Sequence, residues 1–246
     1  MPEEAGWPVF MTKLKNRMEV AERTMAFQFD KPSTWTFKPG QFIDITLPNP
    51  PENDTEGNKR GFSIASAPRE DFIMVATRLR NTAFKRSLAK VPLGTEVEIE
   101  GPFGNLVLHN NASRAAVLLA GGIGITPFRS ILVQAAADRL PHRIFLLYSN
   151  RRPEDAPFLD ELGAVQKKNP NFRMIATMTE MERSHLPWAG ERGLINVGML
   201  SKHLKDVKNA IYYIAGPPGM VKGVQSTLNS FGIDDDDIRT EEFAGY

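Results

Sequence analysis

Up to about residue 110 the apolar positions fall in short β-like runs separated by Pro and Gly, over residues 9–15, 18–29, 41–47, 60–65, 72–79 and 96–100. Several such strands at close spacing predict an antiparallel barrel. Residues 83–90 break the pattern with helical spacing, and they follow Asn81 and Thr82, either of which can cap a helix. From Ala115 onward the pattern becomes strand, helix, strand, over residues 115–120, 127–139, 143–148, 158–168, 172–178, 197–204 and 210–214, with a further helical stretch at 221–229. That alternation predicts a parallel sheet with helices on both faces. Two domains are therefore expected, residues 1–110 and 111–246. The polar stretch 49–58 reads as a flexible loop inside the barrel, and Asp234–Asp237 as a solvated turn.

The junctions between strands and helices carry the first chemical signal. The run 115–120 empties into Gly121-Gly122-Ile123-Gly124-Ile125-Thr126-Pro127. Glycines let backbone amides approach an anion closely, Thr126 can cap the helix, and Pro127 suits the first helical position, where its missing N–H costs nothing. Taken alone, such a loop is equally a strand-to-helix turn with no ligand. A second strand, 210–214, ends in Ala215-Gly216-Pro217-Pro218-Gly219-Met220 before another helical stretch. In an open parallel sheet ligands bind outside the carboxyl ends of the strands, so both turns can face one nicotinamide dinucleotide.

Composition narrows the classes. With 246 residues and 41% apolar content the chain can bury two modest cores. A formal net charge of +1 creates no field of the kind that marks nucleic-acid binders. The acidic, proline-bearing start is wrong for a signal peptide, and no apolar run nears the roughly 20 residues that span a bilayer. A soluble, cytoplasmic protein with no membrane or nucleic-acid partner is expected. The absence of cysteine excludes disulfides and any cysteine-ligated zinc or iron–sulfur centre. The four histidines lack metal-ligand spacing, so they read as surface or structural residues, and no metal site is expected.

The order of motifs is more specific than any one of them. Arg60-Gly61-Phe62-Ser63 in the barrel is followed by Gly101-Pro102-Phe103-Gly104, the glycine turn at 121–127, Tyr148-Ser149-Asn150-Arg151, Gly216-Pro217-Pro218-Gly219-Met220 and a carboxylate-aromatic C-terminus. This order resembles the ferredoxin–NADP reductase family over nearly the whole chain. The resemblance implies an N-terminal flavin-binding barrel holding FAD and a C-terminal α/β domain binding NADP, or NAD. It implies that Arg60 pairs with the flavin phosphates, that Phe62, Ser63 and Ile64 line the isoalloxazine, and that the helix opening at Thr82-Ala83-Phe84 offers amides to the pyrophosphate. Gly121, Gly122, Gly124, Thr126 and Pro127, with Ala215 and the turn Gly216 to Met220, would then seat the dinucleotide. Ser149 and Arg151 suit a 2′-phosphate, since no acid appears before Glu154.

By the same resemblance Ser63 lies near the flavin N5, Glu241 orients nicotinamide or passes protons, and Phe243 or Tyr246 covers the ring; a frayed, solvated tail is the alternative. The chain departs from the family pattern in three places. It has Asn81 to Lys85 where relatives have Gly and Ser, with Lys85 able to add charge, Phe62 where they have Tyr, and Ala215 where they often have Cys. Hydride transfer needs nicotinamide C4 and flavin N5 about 3–3.5 Å apart, so the expected task is to hold two rings face to face. The function implied is an NAD(P)H oxidoreductase that passes electrons to a separate carrier such as ferredoxin or flavodoxin, or to an oxygenase component. Lys85-Arg86 or residues 13–17 would form a basic docking patch if adjacent. Two further readings are a flavin-bearing electron-transfer subunit with little nicotinamide activity and a ligand-binding protein that lost catalysis.

Overall fold

In the computed structural model, which describes residues 6–243, the chain forms two six-stranded sheets. The first contains β1 (Val9–Ala21), β2 (Thr24–Asp30), β3 (Phe42–Thr46), β4 (Lys59–Ser63), β5 (Phe72–Arg78) and β6 (Glu96–Phe103), all paired antiparallel in the order β4-β3-β6-β1-β2-β5. It curls into a barrel because Ala65, just past β4, donates its N–H to the Met74 carbonyl of β5 at 2.7 Å. Phe27, Phe29, Ile43, Ile45, Phe62 and Val75 fill its interior. The single helix α1 (Ala83–Lys90) packs Phe84 and Leu88 into that core, and Thr82 caps it by accepting the Lys85 N–H.

The strand pattern differs from expectation at one hairpin. The sequence suggests a break near Asn16, but β1 runs through it on a register shift and turns instead at Glu22-Arg23, with Arg23 at φ 57°. No glycine or proline marks that turn, so the pattern does not announce it. The stretch 49–58 is a loop, as expected, and it is tied to the barrel helix. Glu52 binds Arg86 at 2.6 Å and exchanges backbone hydrogen bonds with the buried Ser87 hydroxyl, which fastens the segment to α1.

The second sheet is parallel throughout: β7 (Ala115–Gly121), β8 (Ile144–Asn150), β9 (Phe172–Met178), β10 (Glu191–Arg192), β11 (Ala210–Gly216) and β12 (Ile238–Glu242), in the order β10-β9-β8-β7-β11-β12. Alternation divides its side chains between two cores. Ala116, Leu118, Leu146 and Tyr213 face α2 (Ile125–Ala137) and α3 (Leu159–Lys168), whereas Val117, Leu119, Leu147 and Tyr212 face α4 (Val197–Leu204) and α5 (Pro218–Ser230). The predicted class, an antiparallel barrel followed by a parallel sheet with helices on both faces, is the class observed. No helix among the described residues is long and apolar enough to cross a membrane.

The first of those cores also takes in Ala65, Met74 and Ala76 of the barrel, so the two sheets share packed surface. Arg129 on α2 locks it. Buried to 4% exposure, it donates to the Ala65 carbonyl at 2.7 Å, to Glu70 of the barrel at 2.9 Å and to Glu161 of α3 at 2.6 Å. A guanidinium carries five N–H donors in a planar fork and here makes five hydrogen bonds, whereas a lysine has only three donors.

The segment joining β6 to β7 is fixed by histidine. His109 directs its backbone N–H and Nδ1 at the Tyr213 hydroxyl, both at 2.9 Å, and Nε2 at the Arg114 carbonyl at 3.1 Å. A carbonyl can only accept, so Nε2 carries the proton and Nδ1 receives the hydroxyl's. Burial lowers the His109 pKa, and His142 and Arg239 nearby lower it further. The folded state therefore resists a proton that the unfolded chain accepts near pH 6.5. Stability is full above that pH and is lost as pH falls through it. Thermal melts from pH 7.5 to 5.5 should show that decline, and His109→Gln should flatten it.

Candidate functional site

The carboxyl ends of β7, β8 and β11 open onto a cavity of about 300 Å³. Its wall on the parallel-sheet side is built from Gly121, Gly122, Ser149, Asn150, Arg151, Pro217 and Met220, while Thr24, Arg78 and Arg80 enclose it from the barrel. Buried Asn150 lies against the Tyr148 hydroxyl, and neither of its amide atoms makes a hydrogen bond of good geometry. Such an orphaned donor and acceptor in a cavity wall suits a polar ligand. Arg78 is held by Asp155 at 3.4 Å, and Arg151, 63% exposed, by Glu180 at 3.5 Å.

The glycine turn itself is arranged differently from expectation. A 3-10 turn over Gly122–Gly124 precedes α2, so the helical path starts earlier and Gly124 occupies the cap position. Thr126 lies inside the first turn, donating its hydroxyl to the Ile123 carbonyl at 2.9 Å, and Pro127 is the third helical residue. Both are buried and neither lines the cavity. Gly124 serves packing. A Cβ there would lie 2.1 Å from the Ala215 carbonyl oxygen.

Beside this end of the sheet, the barrel and the parallel sheet exchange a polar contact. Alternation along β4 sends Phe62 into the barrel core and Ser63 the other way. The Ser63 hydroxyl donates to Glu241 Oε1 at 3.2 Å, across 178 residues of sequence. Glu241 is placed by β12, which pairs with β11 so that Glu241 lies opposite Ala215 and Glu242 opposite Gly216. Burial raises the Glu241 pKa, and the Ser63 hydrogen bond partly offsets this. A carboxyl in that state can hold or release a proton closer to neutrality than an ordinary glutamate.

A third group surrounds the start of α1. Arg60 lies 5.4 Å over the Phe84 ring, and both Arg60 and Arg80 are close enough to repel Lys85. Burial first, and then those two arginines, push the Lys85 pKa down to about 8. The Arg60 guanidinium is held by Glu56 at 2.7 Å and Asp54 at 3.5 Å, and Asp54 also accepts the Ala83 N–H at 3.1 Å.

Residues 118–226 match the family model described as the oxidoreductase NAD-binding domain. Over 90% of its length the chain is 29% identical to the glycine betaine monooxygenase reductase subunit of Chromohalobacter salexigens, and over 98% it is 27% identical to the toluate 1,2-dioxygenase electron transfer component of Pseudomonas putida. It spans 60% of the first protein's length and 69% of the second's. The structure of a ferredoxin NADP+ reductase from Neisseria gonorrhoeae with bound FAD and NADP shares the fold with a TM-score of 0.78 at 23% identity, covering 95% of this chain and 98% of that one. These likenesses support a ferredoxin reductase-like relationship, and the solved structure shows that the fold is shared.

Within this ferredoxin reductase-like fold the expected site residues separate into groups. Gly121, Gly122, Ser149, Arg151, Pro217 and Met220 meet around the cavity, and Gly219 lines a neighbouring depression with Leu194. Ala215 is fully buried beneath the turn, and Gly216 and Pro218 continue the turn around it. In the barrel, Ile64 and Phe62 turn inward, so the expected stacking face of Phe62 is covered by the core, at 5.9 Å from Phe84. Gly61 abuts Asp44 instead. Phe243 continues from β12 and donates its N–H to the Gly216 carbonyl at 3.0 Å; Tyr246 lies outside the described residues. The two basic clusters meet, because Arg17 donates to the Ala89 carbonyl of α1, but Arg86 is neutralised by Glu52. Arg78, Arg80 and Asn150 were not expected in the cavity wall. Asn150 stands inside the Tyr148 to Arg151 motif; the two arginines carry no local signal.

Proposed function

We propose that this chain is an FAD-dependent NAD(P)H oxidoreductase that passes electrons to a separate one-electron carrier or oxygenase component, with residues 1–110 holding the flavin and residues 111–246 the nicotinamide dinucleotide. The observation that carries the reading is the Ser63–Glu241 contact, which joins the two sheets beside a cavity lined by both. The residues present fit both groups. Orphaned Asn150 offers a donor and an acceptor to a dinucleotide, and Arg60 and Arg80 both repel Lys85 in a way that an anion would relieve. Relatives whose names describe reductase or electron transfer components of oxygenases support the acceptor class.

A bound flavin would supply the exchange between a two-electron nicotinamide donor and a one-electron acceptor. The chain's own residues do the rest. Arg60 and the amides opening α1, at Thr82, Ala83 and Phe84, would hold the pyrophosphate by charge-assisted hydrogen bonds. Gly121 and Gly122 form the turn on which the dinucleotide phosphates would rest, with Gly124, Thr126 and Pro127 buried behind it, and Pro217 and Met220, on the turn that covers Ala215, closing the nicotinamide end. Ser149 and Arg151 favour a 2′-phosphate, and Arg151 is exposed enough to turn from Glu180 to one. Glu241 and Ser63 position a proton where the two ligands would meet, and Phe243 shields that point.

The test is an anaerobic spectrum of the purified protein titrated with NADPH and, separately, NADH. Bleaching of the flavin band, at lower concentrations of NADPH than of NADH, is expected. An unbleached yellow protein would instead indicate a flavin-bearing electron-transfer subunit. A colourless protein that FAD cannot reconstitute would overturn the flavin assignment.

A further inference from the structure

The acidic segment between β3 and β4 occupies the place where the proposed function puts the flavin pyrophosphate. Asp54 accepts the Ala83 N–H at the opening of α1 and lies 3.5 Å from Arg60, so one carboxylate touches both of the groups assigned to the phosphates. Glu56 takes the same guanidinium at 2.7 Å. The other terminal nitrogen of Arg60, Nη1, is shared among the carbonyls of Glu56, Gly57 and Lys59, at 2.8, 3.1 and 2.7 Å. Both terminal nitrogens of Arg60 are thus already engaged within residues 54–59. An anion of the chain stands where an anion of the ligand would go.

From this we infer that Asp54 and Glu56 form a built-in anionic plug that competes with the FAD pyrophosphate for Arg60 and the start of α1. The inference rests on the flavin reading above. The segment is suited to yielding without unfolding the barrel. Its base is fastened by Glu52, which binds Arg86 at 2.6 Å and Lys90 at 3.4 Å and exchanges hydrogen bonds with Ser87. Its other end is Gly57, at φ 76° with open space around it, a conformation that glycine can leave at little cost. Glu56 is 66% exposed on its side chain and its pair with Arg60 is a surface contact, easily exchanged for a doubly charged ligand. Residues 53–57 would swing outward while Glu52 stays in place.

The experiment uses the full-length apoprotein and measures FAD affinity by quenching of flavin fluorescence, alongside amide hydrogen exchange over residues 52–58 and 82–86. The double variant D54N/E56Q should bind FAD roughly threefold to tenfold more tightly than the parent at low salt, the gain expected from removing two exposed ion-pair competitors. In the parent, FAD should speed exchange at residues 54–57 and slow it at residues 83–85. Saturable FAD binding with equal or weaker affinity in the variant, and no faster exchange at 54–57, would overturn the plug while leaving the flavin reading intact. No saturable quenching in either protein would overturn the flavin reading, and the plug with it.

Discussion

Glu241→Gln should slow the bleaching of bound flavin by NADPH about 100-fold, the scale on which a positioned proton-handling group acts, while FAD content stays at the parent level. The expectation follows from where Glu241 sits. It is the carboxylate that β12 carries to the junction of the two sheets, where it accepts a hydrogen bond from Ser63. Glutamine keeps the acceptor but cannot take up or release a proton. Stability should move the other way. Burial holds the folded pKa above the ordinary value of 4.5, so ionised Glu241 is a burden that the unfolded chain does not carry. Its favourable contribution is complete below pH 4.5 and is lost as pH rises through the folded value. At neutral pH the glutamine variant should therefore melt at or above the parent's temperature, and the difference should shrink in acid. A variant that lost rate and stability together would show that Glu241 acts as a structural contact.

Gly124→Ala should be severely damaging, costing about 4 kcal/mol, beyond the usual cost of overpacking. The added Cβ would lie 2.1 Å from the Ala215 carbonyl oxygen, 2.4 Å from its carbon and 2.7 Å from the Gly216 Cα. All three are backbone atoms of β11, which is paired on both sides, so no side chain can rotate to make room. Gly219→Ala is the matched comparison, since nothing lies within 4 Å of its Cβ position. Denaturant unfolding should show a large fall in midpoint for the first and a change within about 0.5 kcal/mol for the second. Equal effects would show that backbone freedom, rather than the close approach to β11, decides both positions.

These two residues show how unevenly the site can be read from the sequence. The turn around Gly124 is legible because a glycine-rich junction between an apolar run and a helix is a local pattern. Its explanation is only half local. Gly122 opens on the cavity as the pattern suggests, whereas Gly124 is required by a strand that arrives about ninety residues later. Thr126 reads as a cap only until the 3-10 turn is seen to start the helix earlier. Glu241 was placed among the site residues by family resemblance alone. Ile238 to Glu242 is too polar to read as a strand, and it becomes one because β11 presents an open edge.

What the sequence by itself determined was the class and order of the elements. Period-two runs broken by Gly and Pro make an antiparallel barrel, and alternating apolar strands and helices make a parallel sheet, because burial of apolar surface must match the period of each element. It also determined the two turns at the ends of β7 and β11, since backbone conformation is set by neighbours along the chain. Tertiary structure alone decided which charges meet. Arg78 and Arg80 reach the cavity at the carboxyl ends of the parallel strands, Asp54 reaches Arg60 and α1, and Ser63 reaches Glu241 only once the sheets are packed together. Side-chain electrostatics depends on distance through space and on burial, and neither is written in the spacing of residues along the chain.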